Sequence, residues 1–165
     1  MSYTGIAVAL RNHIANNTEI KSLVSSGKIA KDSVMTEGYI FSEVPYTTVD
    51  KLNNSTIIVV SSNESWDPPR RLSNFENPRV EVDIWSAPRK DSTAKSIEER
   101  NADDNIRQVY EALKPLIHVI GGDSDKYVWD GVKIASSEII DGPDYRDVAN
   151  AEWHRMARIS VGVTI

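Results

Sequence analysis

The segment from Ser92 to His118 most constrains the fold of this chain, because it carries an apolar stripe at helical spacing. Its charged side chains fall largely outside that stripe. The pattern predicts a long amphipathic helix that must pack against another apolar layer. Pro115 is expected to kink or close the last turn, since proline lacks a backbone N–H. The predicted stripe comprises Ile97, Ala102, Ile106, Val109, Leu113 and Leu116 or Ile117.

Two patterned strands precede this helix. Residues 56–62 (TIIVVSS) are rich in β-branched and apolar side chains, which is typical of a central strand covered on both faces. Residues 79–85 (RVEVDIW) alternate, with valine or isoleucine on one face and charged side chains ending in Trp85 on the other. The alternation predicts a half-buried strand.

Two further strands are predicted after the long helix. Residues 127–140 form the first, with a bulge near Gly131, and residues 152–165 form the second. A turn or short loop over residues 141–150 joins them.

The N-terminal region predicts two short helices. Residues 4–16 have apolar side chains at helical spacing, with Thr4 placed to cap the first turn, and Asn17 or Thr18 can cap a second helix. The complete order predicts an α+β fold, with a mainly antiparallel sheet of four to five strands. The long helix and the N-terminal helices are expected to pack on one face of that sheet.

The chain length of 165 residues suits a single domain spanning residues 1–165. Long loops are predicted at about residues 34–55 and 63–78. An ordinary hairpin connection needs only about 2 to 5 residues, so the second loop is expected to have a role of its own.

Composition excludes several classes of protein. With 19 Lys and Arg against 24 Asp and Glu, the net charge of −5 argues against a protein that binds DNA by neutralising phosphates. The absence of cysteine excludes disulfides and thiolate metal sites. The longest relevant apolar run, residues 57–60, is far too short to span a membrane. The N-terminal segment lacks a basic region before its apolar residues, so we expect no signal peptide and a cytoplasmic location.

The sequence offers little that points to catalysis. His13, His118 and His154 are too far apart for a recognisable metal motif, and no glycine-rich phosphate loop or nucleophile motif occurs. Glu81 and Asp83 share one strand face, but nothing in the neighbouring sequence predicts the burial that a catalytic carboxylate pair requires. We therefore expect neither an enzyme nor a bound cofactor.

Trp85 raises the question of what covers the charged face of its strand. An indole at the end of an outward face is expected to be covered by another subunit, although a place in the core is an open alternative. The loop at 63–78 offers aromatic and arginine side chains, which are enriched at interface cores; Arg70 and Arg71 could instead be solvated or contact phosphate. The predicted subunit interface comprises Trp66, Arg70, Arg71, Phe75, Arg79, Glu81, Asp83 and Trp85.

The order of these segments resembles the tail terminator proteins of long-tailed bacteriophages, also called tail completion or head-to-tail joining proteins. The resemblance covers about Ile6 to Ile165 and rests on element order and soft patterns. It is carried by an N-terminal helix (IAVALRNHIANN), Pro45-Tyr46, the strands TIIVV and RVEVDIWS, a long helix with Ala94 early in it, YVWDGVKI, and a last strand opening on His154-Arg155. The loops at 34–55 and 63–78 are longer than this family leads us to expect.

The resemblance implies a structural virion protein that forms a ring, expected to be a hexamer. Such a ring caps the tail tube, ends tube polymerisation and joins the tail to the head connector or stopper protein. DNA passes through the lumen without sequence-specific binding, and the protein resides in the tail or neck after assembly in the host cytoplasm. Contact with the tube protein or the connector is expected around Tyr39, Phe41 and Tyr46.

Other functions stay open at this point. A head-completion stopper or adaptor, or a tail tube subunit, is also a small ring-forming protein. A small ligand-binding or enzymatic α+β domain is a further alternative from a different class, and it would be a monomer or dimer.

Overall fold

The computed structural model describes residues 3–24, 40–41, 55–62, 79–89, 91–118, 127–140, 144–147 and 155–164. The helices are α1 (Tyr3–Ala15), α2 (Thr18–Val24) and α3 (Lys95–Ile117). The strands are β1 (Ile40–Phe41), β2 (Ser55–Ser62), β3 (Arg79–Ala87), β4 (Val128–Trp129), β5 (Val132–Lys133), β6 (Ser136–Ile139), β7 (Asp144–Asp147) and β8 (Arg155–Thr164). The predicted loop at 63–78 lies outside the described residues, as does most of the loop at 34–55.

The sheet has five rows in the order β1, β2, β3, β8 and β6, with β7 also paired to β8. The pairs β2–β3 and β3–β8 are antiparallel over eight residues each, and β1 runs parallel to β2. Because β6 and β7 pair with different parts of β8, they occupy the same row. The predicted α+β fold with a mainly antiparallel sheet is confirmed, although β7 replaces part of the turn or loop expected over residues 141–150.

The hydrophobic core lies between the helices and one face of this sheet. The helices contribute apolar side chains one turn apart, and the strands contribute every second residue. Strand β2 lies between β1 and β3 and is buried on both of its faces, as predicted. The core includes Ile6, Leu10 and Ile14 of α1, Ile106, Val109 and Leu113 of α3, Ile58 and Val60 of β2, Val80, Val82 and Ile84 of β3, and Ile159 and Val161 of β8.

Local hydrogen bonds explain where the first helices end and begin. The backbone N–H of Ile20 donates to Asn17 Oδ1 at 3.0 Å, so Asn17 caps α2 as predicted. Helix α1 begins at Tyr3, so Thr4 lies within its first turn and the predicted cap at Thr4 is wrong.

Helix α3 confirms the predicted stripe except at its start. Ile97 is 56% exposed, because it lies five residues before Ala102 and therefore about 140° around the helix from it, outside the buried stripe. Pro115 lies in the last turn, and the helix ends two residues later. Arg155 of β8 ties the helix to the sheet, with its guanidinium 2.9 Å from Glu99 and 3.6 Å from Asp103.

The expected bulge near Gly131 is a tight hairpin turn instead. Asp130 and Gly131 have φ of 47° and 81°, and strands β4 and β5 pair directly on either side of them. Positive φ at both central residues is the requirement of a type I′ turn, for which Asp-Gly is a favoured pair. The hairpin docks on α1, since Asn12 Nδ2 donates to Asp130 Oδ2 at 2.7 Å.

Candidate subunit interface on the second face of the sheet

The face of the sheet opposite to the helices carries the described part of the predicted interface. We call it the distal face, and it follows from strand alternation and from the pairing register. Its central rows align Arg79 with Gly162, Glu81 with Ser160, Asp83 with Arg158 and Trp85 with Met156. On the other side of β3, Ser61, Val59, Ile57 and Ser55 of β2 lie opposite Glu81, Asp83, Trp85 and Ala87.

Burial divides the distal face into a closed end and an open end. At the closed end Trp85 is 6% exposed, Asp83 is 3% exposed, and Ile57 is fully buried. The expectation that Asp83 and Trp85 lie on uncovered outer surface is therefore wrong. Alternation assigns Trp85 to the face opposite the helices, but whether that face is covered depends on contacts that a local pattern does not contain.

An ion-pair cluster stands at the boundary between the two ends. Arg158 Nε lies 2.9 Å from Asp83 Oδ1, and Nη2 lies 3.5 Å from Oδ2, so the guanidinium fork meets the carboxylate with two donors. Glu81 Oε2 lies 3.7 Å from the same Nε. A buried carboxylate without a counter-charge would be strongly destabilising. The cluster therefore explains how the strand tolerates Asp83 in the sheet.

The open end lies toward Arg79, β6 and the end of β8. Arg79, Glu81 and Thr164 are half-buried there, and Glu138 of β6 is exposed. Ile140 is 43% exposed, and its Cδ1 would lie 2.9 Å from a Cβ added to Gly162. Glycine at 162 therefore leaves room for Ile140 to lie against the strand. Among the described residues, this open end is the more exposed part of the distal face.

The structure places the other predicted contact residues as follows. Trp66, Arg70, Arg71 and Phe75 lie outside the described residues, as do Tyr39 and Tyr46. Phe41 lies in β1, where its backbone is in register with Val59. The prediction that these residues contact other subunits, the tube or the connector is untouched by the described part of the chain.

Arg158 and Ile140 are two residues of this face that the sequence did not assign to the interface. Alternation along β8 predicts that Arg158 lies on a polar face. Its contact with Asp83 depends on the pairing of β8 with β3, which joins residues 75 positions apart. Ile140 ended a predicted strand without any sign that it would lie over Gly162. The signals exist in the sequence, but they become interpretable only after the strand pairing is known.

The histidines lie apart from this face wherever the structure describes them. His13 stacks on Trp129 of the hairpin, with ring centroids 6.1 Å apart, and burial lowers its pKa from 6.5. His118 follows the last turn of α3, and His154 falls outside the described residues. Among the described residues, no group of three or more His, Asp or Glu side chains could hold a metal ion.

None of the helices that the structure describes combines the length and the apolar character needed to cross a bilayer. A scan against protein-family models gives no match to this chain, and a search of curated proteins gives none either. The function of the chain is therefore inferred from its fold, from the surfaces described above and from the resemblance in element order.

Proposed function

We propose that this chain is a ring-forming structural subunit of a bacteriophage tail, of the tail terminator class, and that it is not an enzyme. In this role a ring of copies, six by the resemblance, caps the finished tube and prevents further tube subunits from adding. The same ring joins the tail to the head connector, and DNA passes through its lumen. The protein would reside in the virion neck after assembly in the host cytoplasm.

The observation that carries the proposal is the order of the described elements. A helix (α1), two strands (β2 and β3), a long amphipathic helix (α3) and a last strand (β8) follow one another as the resemblance requires. The eight-residue pairing of β3 with β8 brings the end of the chain into the middle of the sheet. This arrangement supports a rigid subunit of the kind that a ring requires.

The open end of the distal face supports a contact between copies. It combines the half-buried charges of Arg79 and Glu81 with the exposed apolar side chain of Ile140. Mixed apolar and charged surface of this kind is typical of interfaces that form after the subunit has folded. Trp85 and Asp83 would then support the contact from beneath instead of forming it.

The acidic charge is compatible with a channel for DNA. A ring of six chains, each with a net charge of −5, would carry about −30. Where that charge faces the lumen it repels phosphate groups, so DNA can move through the ring without being held.

The proposal is tested by adding the purified chain to tail tubes assembled without it. We expect rings at tube ends in negative-stain images, arrest of tube growth, and a particle mass of six chains for the ring released from those ends. A matched sample of heat-unfolded protein controls for coating of tubes by denatured chain.

Each other outcome contradicts the proposal in a distinct way. Spontaneous growth of long hollow tubes would identify a tube subunit. Binding to isolated head connectors with no effect on tubes would identify a stopper or adaptor. A monomer that binds neither partner would favour a small ligand-binding domain.

A further inference from the structure

A groove lies where the last two turns of α3 meet β6. It has a volume of about 670 Å³ and is lined by Tyr110, Glu111, Lys114, Pro115, His118 and Ile139. The Ser137 hydroxyl donates to the carbonyl of Ile117, which fastens the strand to the end of the helix. The groove is therefore a feature of the folded subunit and does not need a partner to form.

The two charged side chains of the groove already interact with each other. Lys114 Nζ lies 3.6 Å from Glu111 Oε1 and 5.0 Å from the centre of the Tyr110 ring. An occupant therefore gains chiefly from contact with the apolar surface of Tyr110, Pro115 and Ile139. That surface fits an apolar side chain better than it fits a strongly polar small molecule.

The opposite end of α3 presents such a side chain. Ile97, at 56% exposure, is more exposed than any other large apolar residue in the described part of the chain. Arg107 and Lys114 each pair with a carboxylate three residues earlier, at Asp104 and Glu111.

Arg100 occupies the equivalent position one heptad before Arg107, but the residue three places before it is Ile97. Arg100 is exposed and forms no ion pair within the described residues. Asp103 and Asp104, one turn after Arg100, pair with Arg155 and Arg107 instead. The start of α3 thus combines an exposed isoleucine with a guanidinium that forms no ion pair among the described residues.

We propose that Ile97 of one copy inserts into the groove at the end of α3 of the next copy, with Arg100 beside Glu111. The start of a helix carries partial positive charge and its end partial negative charge, so the two ends attract each other when they meet. Lys114 does not oppose this contact strongly, because Glu111 and the helix end both lie close to its charge.

The contact joins two different patches, so every copy uses both ends of α3. Heterologous contacts of this kind close into a ring when the rotation between copies permits it. This inference rests in part on the proposed ring, since it names a contact that would hold neighbouring copies together.

Cysteine cross-linking tests the contact, and the chain is suited to it because it contains no cysteine. Within one chain, positions 97 and 118 are separated by 21 residues, about 31 Å along the helix, so they cannot form a disulfide with each other. We expect a mixture of Ile97→Cys and His118→Cys chains to give a covalent dimer under mild oxidation. A chain carrying both substitutions should give a ladder of covalent oligomers.

The single variants and a matched control decide the interpretation. Neither Ile97→Cys nor His118→Cys should cross-link to itself, and Gln108→Cys, exposed at the middle of α3, should not link to His118→Cys. Self-linking of a single variant would indicate a symmetric contact and overturn the proposal. Failure of the mixture to form a dimer at any concentration would also overturn it, as would equal linking by Gln108→Cys.

A substitution without cysteine provides an independent measure. Ile97→Asp should weaken association between copies by about tenfold or more, because it loses the burial of roughly half an isoleucine side chain. Val8→Asp on α1 is the matched control, since Val8 is 40% exposed, and it should leave association unchanged. Equal effects of the two substitutions would contradict the role of Ile97.

The outcomes separate this inference from the proposed function. The Ile97→Cys and His118→Cys chains could form rings at tube ends and yet fail to cross-link on oxidation. That result would leave the tail terminator role intact and refute the contact. The cross-link in a protein that ignores tail tubes would support the contact and refute that role.

Discussion

Replacement of Arg158 by methionine would leave the buried carboxylate of Asp83 without its guanidinium. Asp83 is only 4% exposed at its side chain, and its nearest described cation is Arg158 at 2.9 Å. Breaking a fully buried pair by removing one partner costs about 3–5 kcal/mol, but Arg158 is 37% exposed, so water can partly solvate the remaining charge. We therefore expect a loss of about 2–3 kcal/mol in the free energy of unfolding.

The assay is urea unfolding followed by tryptophan fluorescence, with thermal melting as a second measure. For a chain of this size the expected loss corresponds to a melting temperature about 5–10 °C lower. Arg107→Met is the matched control, because Arg107 also lies 2.8 Å from an aspartate, but both partners are largely exposed. That substitution should cost no more than about 0.5 kcal/mol.

A double substitution distinguishes a lost ion pair from a lost side chain. Replacing Asp83 by leucine in the Arg158→Met chain removes the stranded charge, and stability should return to within about 1 kcal/mol of the wild type. Equal costs for Arg158→Met and Arg107→Met would refute the argument that burial makes the distal-face cluster important.

Three further predictions concern single residues outside the main sheet. Burial lowers the pKa of His13 from 6.5, so the folded state disfavours the charged imidazole. The contribution of the neutral imidazole to the free energy of unfolding should be fully present above pH 6.5. It should fall as the pH drops below 6.5 and level off once the pH is below the folded pKa. His13→Gln should flatten this pH dependence in urea titrations from pH 7.5 to 5, and identical slopes for the two proteins would contradict the role of burial. Gly131→Ala should cost about 1–2 kcal/mol, because φ of 81° is unfavourable for alanine and no atom within 4 Å contributes a clash; Lys133→Ala, also exposed in the hairpin, should be neutral, and equal melting temperatures would argue against a backbone effect. Asn17→Ala should cost about 1 kcal/mol through loss of the α2 cap, measured by urea unfolding, whereas an equally large effect of Asn16→Ala would show that capping is not the cause.

Local patterns predicted the elements whose structure depends on neighbours in sequence. The stripe of α3 recurs every three to four residues, and the apolar run of β2 requires burial wherever it lies, so both were recognisable. The Asp130-Gly131 turn was equally local, and its signal was present in the sequence as a favoured hairpin pair. A bulge was predicted in its place because residues 127–140 were interpreted as one continuous strand, whereas the strands on either side of the turn are only two residues long.

The contacts that were missed on the distal face join distant segments. Nothing near Trp85 in the sequence indicates that its side of the sheet is closed, and nothing near Arg158 indicates that Asp83 will face it across the strand pair. In both cases the missing information is the position of another element. Ile97 was a local error, because a residue five places before Ala102 lies about 140° around the helix from it and so falls outside the stripe.

The shared row of β6 and β7 has a consequence for how the protein avoids unwanted association. Four residues separate Ile139 from Asp144, whereas only two separate their partners Val161 and Arg158 on β8. The row therefore follows β8 in two segments whose registers differ by two residues. A foreign β-strand in register with one segment would be out of register with the other. This edge of the sheet is therefore a poor template for amyloid-like stacking. Aggregation through this edge of the sheet should therefore be suppressed even at high protein concentration.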